Sequence, residues 1–69
     1  MSDHVYKLTE IVGTSRDGND EAIKVALRRA SKSIRNIRWF EVIAQRGYVE
    51  DGALVYQVTL KIGFTLDEA

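Results

Sequence analysis

The sequence contains no cysteine and no proline, and only one histidine, one tryptophan and one methionine among its 69 residues. Without cysteine there is no disulfide, no thiolate nucleophile and no thiolate metal ligand. His4 is the only imidazole and stands at the start of a strand-like segment, so a Ser-His pair built on Ser2, Ser15, Ser31 or Ser33 has little support. No glycine-rich phosphate loop of the βαβ kind is present. Gly13 and Gly18 bracket a loop before a helix, where the plain reading is a turn with unusual backbone angles and the sharper one is anion binding.

An excess of charge of one sign is missing too. Ten basic and ten acidic residues cancel, so no broad field draws the chain to nucleic acid or an anionic membrane. Apolar runs are a few residues long, far short of the roughly 20 needed to span a bilayer. The stretch Met1 to Glu10 has no apolar signal-peptide core, and a cytoplasmic protein is expected.

The length fits one domain over residues 1–69. A domain of this size buries only about 60% of the surface that its unfolded chain exposes. With disulfides and a structural metal excluded, oligomerisation is the reinforcement that remains.

His4 to Val12 is rich in Val, Tyr, Leu, Thr and Ile and reads as a first strand ending in the turn-like stretch Gly13 to Asn19. Asn19 or Asp20 is placed to cap a helix, with Asp20 and Glu21 at its positive end. Ile23, Ala26, Leu27, Ala30, Ile34 and Ile37 then fall three or four apart, predicting an amphipathic helix that runs to about Asn36. Lys24, Arg28, Arg29, Lys32 and Arg35 lie between them, where they suit the negative helix end and solubility as readily as an anionic ligand.

Beyond Asn36 the period changes to 2. Arg38 to Val49 reads as a long strand, turning at Glu50-Asp51-Gly52 into another from Ala53 to Leu66, with a loose tail over the last three residues. The fold class is α+β, in the order β-α-β-β.

Alternation along strand two separates Phe40, Val42 and Ala44, which suit a helix, from Trp39, Glu41, Ile43 and Gln45. On strand three it separates Tyr56, Val58, Leu60, Ile62 and Phe64 from Val55, Gln57, Thr59, Lys61 and Gly63. One helix covers one face of a three-stranded sheet. The face carrying Trp39, Gln45, Val55 and Gln57 must therefore meet water, a ligand or other subunits. Its mixture of aromatic, amide and aliphatic groups suits a ligand wall, and a lone tryptophan there suits packing between subunits as well.

Four separated stretches carry a family resemblance: Glu10 to Ser15, Trp39 to Val42, Gln45-Arg46-Gly47, and Tyr56 to Phe64. Together they resemble a dodecin over nearly the whole chain. The resemblance implies a three-stranded antiparallel sheet wrapped around one helix, a hollow homododecamer of 23 symmetry, and flavins held in pairs at subunit contacts. It implies that Trp39 stacks on the flavin ring and that Gln57 hydrogen-bonds the polar edge of the ring; the Gln45 amide has the chemistry to act in a similar way.

The chemistry of these residues suits those roles. Indole is the largest electron-rich aromatic surface a protein offers to an electron-poor ring, and an amide matches alternating carbonyl and N–H groups. Arg46 suits a flavin phosphate, because its guanidinium grips oxygens in pairs. Where many relatives place a second arginine, this chain reads Gly63-Phe64-Thr65-Leu66, and Thr65 offers one hydrogen bond without charge. The expectation is binding of flavin mononucleotide (FMN) or riboflavin with weak discrimination for the phosphate. Some dodecins also carry coenzyme A on basic residues, for which Lys7, Arg28, Arg29 and Lys32 are the candidates here.

Overall fold

The computed structural model describes residues 4–66; the tail read over residues 67–69 lies outside them. Strand β1 (Tyr6–Ser15), helix α1 (Asn19–Ala30), strand β2 (Ile37–Glu50) and strand β3 (Ala53–Thr65) follow in the expected order. The sheet is antiparallel throughout, with β3 in the centre between β1 and β2.

The β2–β3 hairpin closes on Asp51 and Gly52, both at positive φ (52° and 78°). This two-residue turn matches the twist of long strands. The pairs Glu50↔Ala53 and Val49↔Leu54 continue directly from it.

Helix α1 begins differently from the expectation. Gly18 is the cap residue, at φ 131°, and no side chain caps the helix. Its carbonyl accepts the first helical bond, from the Ala22 N–H at 3.0 Å. Asn19 is instead the first helical residue, and its Nδ2 donates to Gln45 Oε1 on β2 at 3.2 Å. Asp20 and Glu21 occupy the first turn and Arg28 and Arg29 the last, each at the end where the helix dipole favours its charge.

The helix also ends earlier than its apolar spacing predicts. It stops at Ala30, after which Lys32 and Ser33 donate to carbonyls three residues back, the tightening common at a helix end. Asn36 then takes a left-handed φ of 66°, which asparagine tolerates. Its carbonyl accepts from the Thr65 N–H at 3.1 Å. Tying Asn36 to the end of β3 turns the chain into β2, so Ile37 belongs to a strand and not to the helix. Strand β1 runs three residues past its expected end at Val12, because its pairing with β3 continues unbroken to Ser15↔Tyr56.

One face of the sheet receives the helix. Ala22, Ala26 and Ala30 are buried against Val58, Leu60 and Ile62, the last three fully enclosed. Ile11, Ile23, Leu27, Ile34, Ile37 and Phe64 pack around them. The alanine stripe lets the helix lie close to the strands, and Gly13 allows the closest approach. A Cβ added there would sit 2.7 Å from the Cβ of Ala26 and nearer still to the Ala22 carbonyl.

The helix lies on β1 and β3, leaving every residue of β2 from Arg38 to Glu50 exposed. Phe40 and Val42, expected under the helix, are on its side of the sheet but beyond its reach, 45% and 36% exposed. The radius of gyration is 14.3 Å, against about 11 Å for a compact domain of this length.

Gly13→Ala is expected to force the helix off β1 and cost about 2 kcal/mol, the usual penalty for overpacking a tight core. Urea denaturation followed by circular dichroism measures it, and an unchanged midpoint contradicts the close-approach role.

Candidate functional site

The face of the sheet away from α1 carries the candidate residues. Directly paired residues on neighbouring strands point to the same face, and β3 pairs with β1 without interruption. Val58, Leu60 and Ile62 face the helix, so Gln57, Thr59, Lys61, Gly63 and Thr65 face away from it. On β2, Trp39 pairs with Gly63 and Glu41 with Lys61, placing both on this open face as expected.

Past Glu41 the expectation fails. A bulge at Ile43 leaves Val42 paired with Leu60 but Ala44 with Thr59. One extra residue in a strand exchanges the two faces beyond it. Ala44 therefore joins the open face, and so does Arg46, directly opposite Gln57. Gln45 turns to the helix side, paired with Val58 and bonded to Asn19. The run Val42-Ile43-Ala44 is the one local sign of the break, since three apolar residues in succession do not alternate.

The open face thus holds two groups. At one end the Trp39 indole lies across Gly63, where an added Cβ would fall 2.5 Å from its Nε1 and closer to Cε2 and Cζ2. Tyr6 meets the indole edge-on, with centroids 6.2 Å apart and planes at 67°. Thr65, opposite Tyr6, completes this end. At the other end Gln57 is flanked by Thr14 on β1 and Arg46 on β2.

Gly63 and Gln57 stand six positions apart on β3, about 20 Å along an extended strand. A tricyclic ring does not reach from one group to the other within one chain. Sequence reasoning missed Tyr6 and the purpose of Gly63. The only available signal for the latter is a glycine inside a strand, which marks a close approach.

The basic candidates stand apart from this face. Lys7 pairs with Phe64, on the helix side of the sheet. Arg28, Arg29 and Lys32 are exposed at the helix end, and Arg29 lines a groove of about 430 Å³ between α1 and β1 with Val12, Thr14 and Ser33. The ion pair Arg16–Glu50, 3.0 Å long and largely solvated, ties the β1–α1 loop to the hairpin and contributes at most about 1 kcal/mol. Among the described residues, no three His, Asp or Glu side chains stand close enough to hold a metal ion, and no helix is long and apolar enough to cross a membrane.

Comparison with known proteins agrees with this architecture. The dodecin family model matches residues 5–67. The dodecin of Thermus thermophilus is 51% identical over 65 residues, covering 93% of this chain and 94% of that protein. The calcium dodecin of Mycobacterium tuberculosis is 35% identical over 66 residues, with 94% and 93% covered. The solved dodecin of Streptomyces davaonensis superposes with a TM-score of 0.91 at 50% identity, over 97% of this chain and all of that one. With its β-α-β-β order and family-model match across almost the whole sequence, this chain belongs to the dodecin family.

Proposed function

We propose that the protein is a flavin-binding store or buffer and not an enzyme, acting in the cytoplasm as the hollow dodecamer that its family implies. The observation that carries this reading is the Trp39 indole spread over Gly63 on a sheet face that the helix leaves open. An aromatic plane held against backbone on one side offers its other side to a flat ligand.

The placement of the polar groups supports a site shared between copies. Gln57 and Arg46 are paired with each other and lie about 20 Å from Trp39 along one subunit. A ring stacked on Trp39 of one copy reaches an amide and a guanidinium only if a second copy brings its Gln57–Arg46 end to the first copy's Trp39 end. Isologous pairing does this twice at once. The uncovered β2 strand and the exposed Phe40, Val42, Ile43 and Val49 supply apolar surface for such assembly.

Each polar group has a distinct task in this arrangement. The Gln57 amide reads the ring edge, since it offers two donors and an acceptor. Arg46 holds the phosphate when FMN is bound, and Thr65 adds a hydroxyl near the ring end. None of the groups assigned to the ligand, Trp39, Gln57, Arg46 and Thr65, is a carboxylate, imidazole or amine placed for proton or hydride transfer. A ligand so held is sequestered, and an indole in stacking contact quenches its emission by donating an electron to the excited ring and taking it back.

Calcium binding, suggested by the name of the mycobacterial relative, lacks a cluster of three acidic or imidazole ligands among the described residues. Coenzyme A on Lys7, Arg28, Arg29 and Lys32 is the remaining alternative, with Arg29 at its groove.

Riboflavin titration should extinguish flavin fluorescence at micromolar protein while native mass spectrometry shows an assembly carrying the ligand. Trp39→Ala should weaken binding by about tenfold or more and leave the assembly intact. Uptake of coenzyme A with no change in flavin emission would overturn the flavin reading.

A second comparison separates the two faces of the sheet. Arg46→Ala should weaken FMN more than riboflavin, since a charge-assisted contact to phosphate is lost. Gln45→Ala, on the helix side, should leave riboflavin affinity within about twofold and reduce stability by about 1 kcal/mol through the lost bond to Asn19.

A further inference from the structure

Four of the five glycines have distinct roles, and one of them bears on the binding face. Gly18 and Gly52 sit at positive φ with open space around their Cα atoms, so they serve backbone conformation. Gly13 admits the helix. Gly63 is in the central strand, beside a shift of register in which Ile37 pairs with Phe64 and Trp39 with Gly63; it lies outside the positive-φ region and is buried. Its backbone angles suit any residue. Glycine in a strand interior costs about 0.5–1 kcal/mol relative to alanine, so its presence calls for a reason in the space where a side chain would be. That space is filled by the indole of Trp39.

From this we infer that Gly63 and Tyr6 form a seat that fixes the Trp39 indole in its binding orientation before any ligand arrives. The backbone of β3 at Gly63 limits how far the ring can sink, and the Tyr6 ring, T-shaped to it, blocks one direction of swing. The ring so held is still 36% exposed, which leaves it open to a ligand. An aromatic ordered in advance loses less rotational freedom on binding, and that saving appears as affinity. Gly63 and Tyr6 are thus positioning residues, acting through Trp39. An alanine methyl at position 63 would occupy the ring's place and push the indole away from the sheet. The inference deepens the flavin reading and rests on it only for the affinity it predicts, because the seat is made of this chain's own residues.

Trp39 is the only tryptophan, so its emission reports the seat directly in the assembled, ligand-free protein. Gly63→Ala is expected to shift that emission to longer wavelength, raise its quenching by acrylamide about twofold, and weaken riboflavin binding by about tenfold. Tyr6→Leu should produce the same changes in smaller degree, with melting temperature and assembly mass preserved. Gly13→Ala serves as the contrast, since it lowers the melting temperature and leaves Trp39 emission where it was.

Unchanged emission and quenching in both Gly63→Ala and Tyr6→Leu would overturn the seat. So would a shifted emission with riboflavin affinity still at the wild-type value. Should Gly63→Ala fail to assemble, Tyr6→Leu decides alone on the same two readouts. If the wild-type protein takes up no riboflavin, the flavin reading falls, and the emission comparison by itself upholds or overturns the seat.

Discussion

One helix of twelve residues must cover a hairpin of much longer strands, and the rest of the molecule follows from that mismatch. Helix α1 is about 18 Å long at 1.5 Å per residue, whereas the fourteen residues of β2 extend for about 46 Å. The helix is also held close to β1 and β3 by alanines and Gly13, which narrows the strip it covers. The fully enclosed large side chains are accordingly three consecutive inward residues of the central strand, Val58, Leu60 and Ile62. Arg38 to Glu50 of β2, and most of the outer face of the sheet, are left to be covered by something else.

That uncovered surface is organised. The bulge at Ile43 brings Arg46 to the same side as Trp39, which strict alternation would have denied it. Trp39 is settled over Gly63 at one end, and Gln57 is paired with Arg46 at the other. A face designed only for apolar packing has no need of an arginine and a glutamine in register, or of a glycine that makes room for an indole. The separation of the two groups makes binding, on the proposed reading, a property of the assembly and not of the chain. Ligand binding and oligomer stability are then linked, because a ligand that occupies only the assembled state favours it.

Much of the fold was legible in the sequence because its signals are local. The Asp51-Gly52 turn, the acidic first turn and basic last turn of α1, and the alternation of Val58, Leu60 and Ile62 each depend on neighbours within a few residues. The helix end was not legible, since Ile34 and Ile37 keep helical spacing and the chain is turned instead by Asn36 bonding to Thr65, 29 residues away. The face of Gln45 was hidden for a related reason: a bulge is a property of two strands paired together. At the site, Trp39 on the open face followed from alternation. The seat beneath it did not, because a glycine reveals what fills its empty side only when the neighbouring strand is in place.

The strip between the two groups bears on how copies can meet. Lys61 at its centre is flanked across the strands by Glu10 and Glu41, all on the open face. An isologous pairing that sets the Trp39 end of one sheet against the Arg46 end of another also brings this middle strip towards its own copy. A strip of one charge would repel itself there, since like charges brought together cost free energy. A lysine between two glutamates carries both signs, so a small offset opposes Lys61 of each copy to a glutamate of the other. The same strip disfavours a dry, continuous apolar stacking of sheets, which on the proposed reading leaves the aromatic and polar ends as the places where a flat ligand complements the fit.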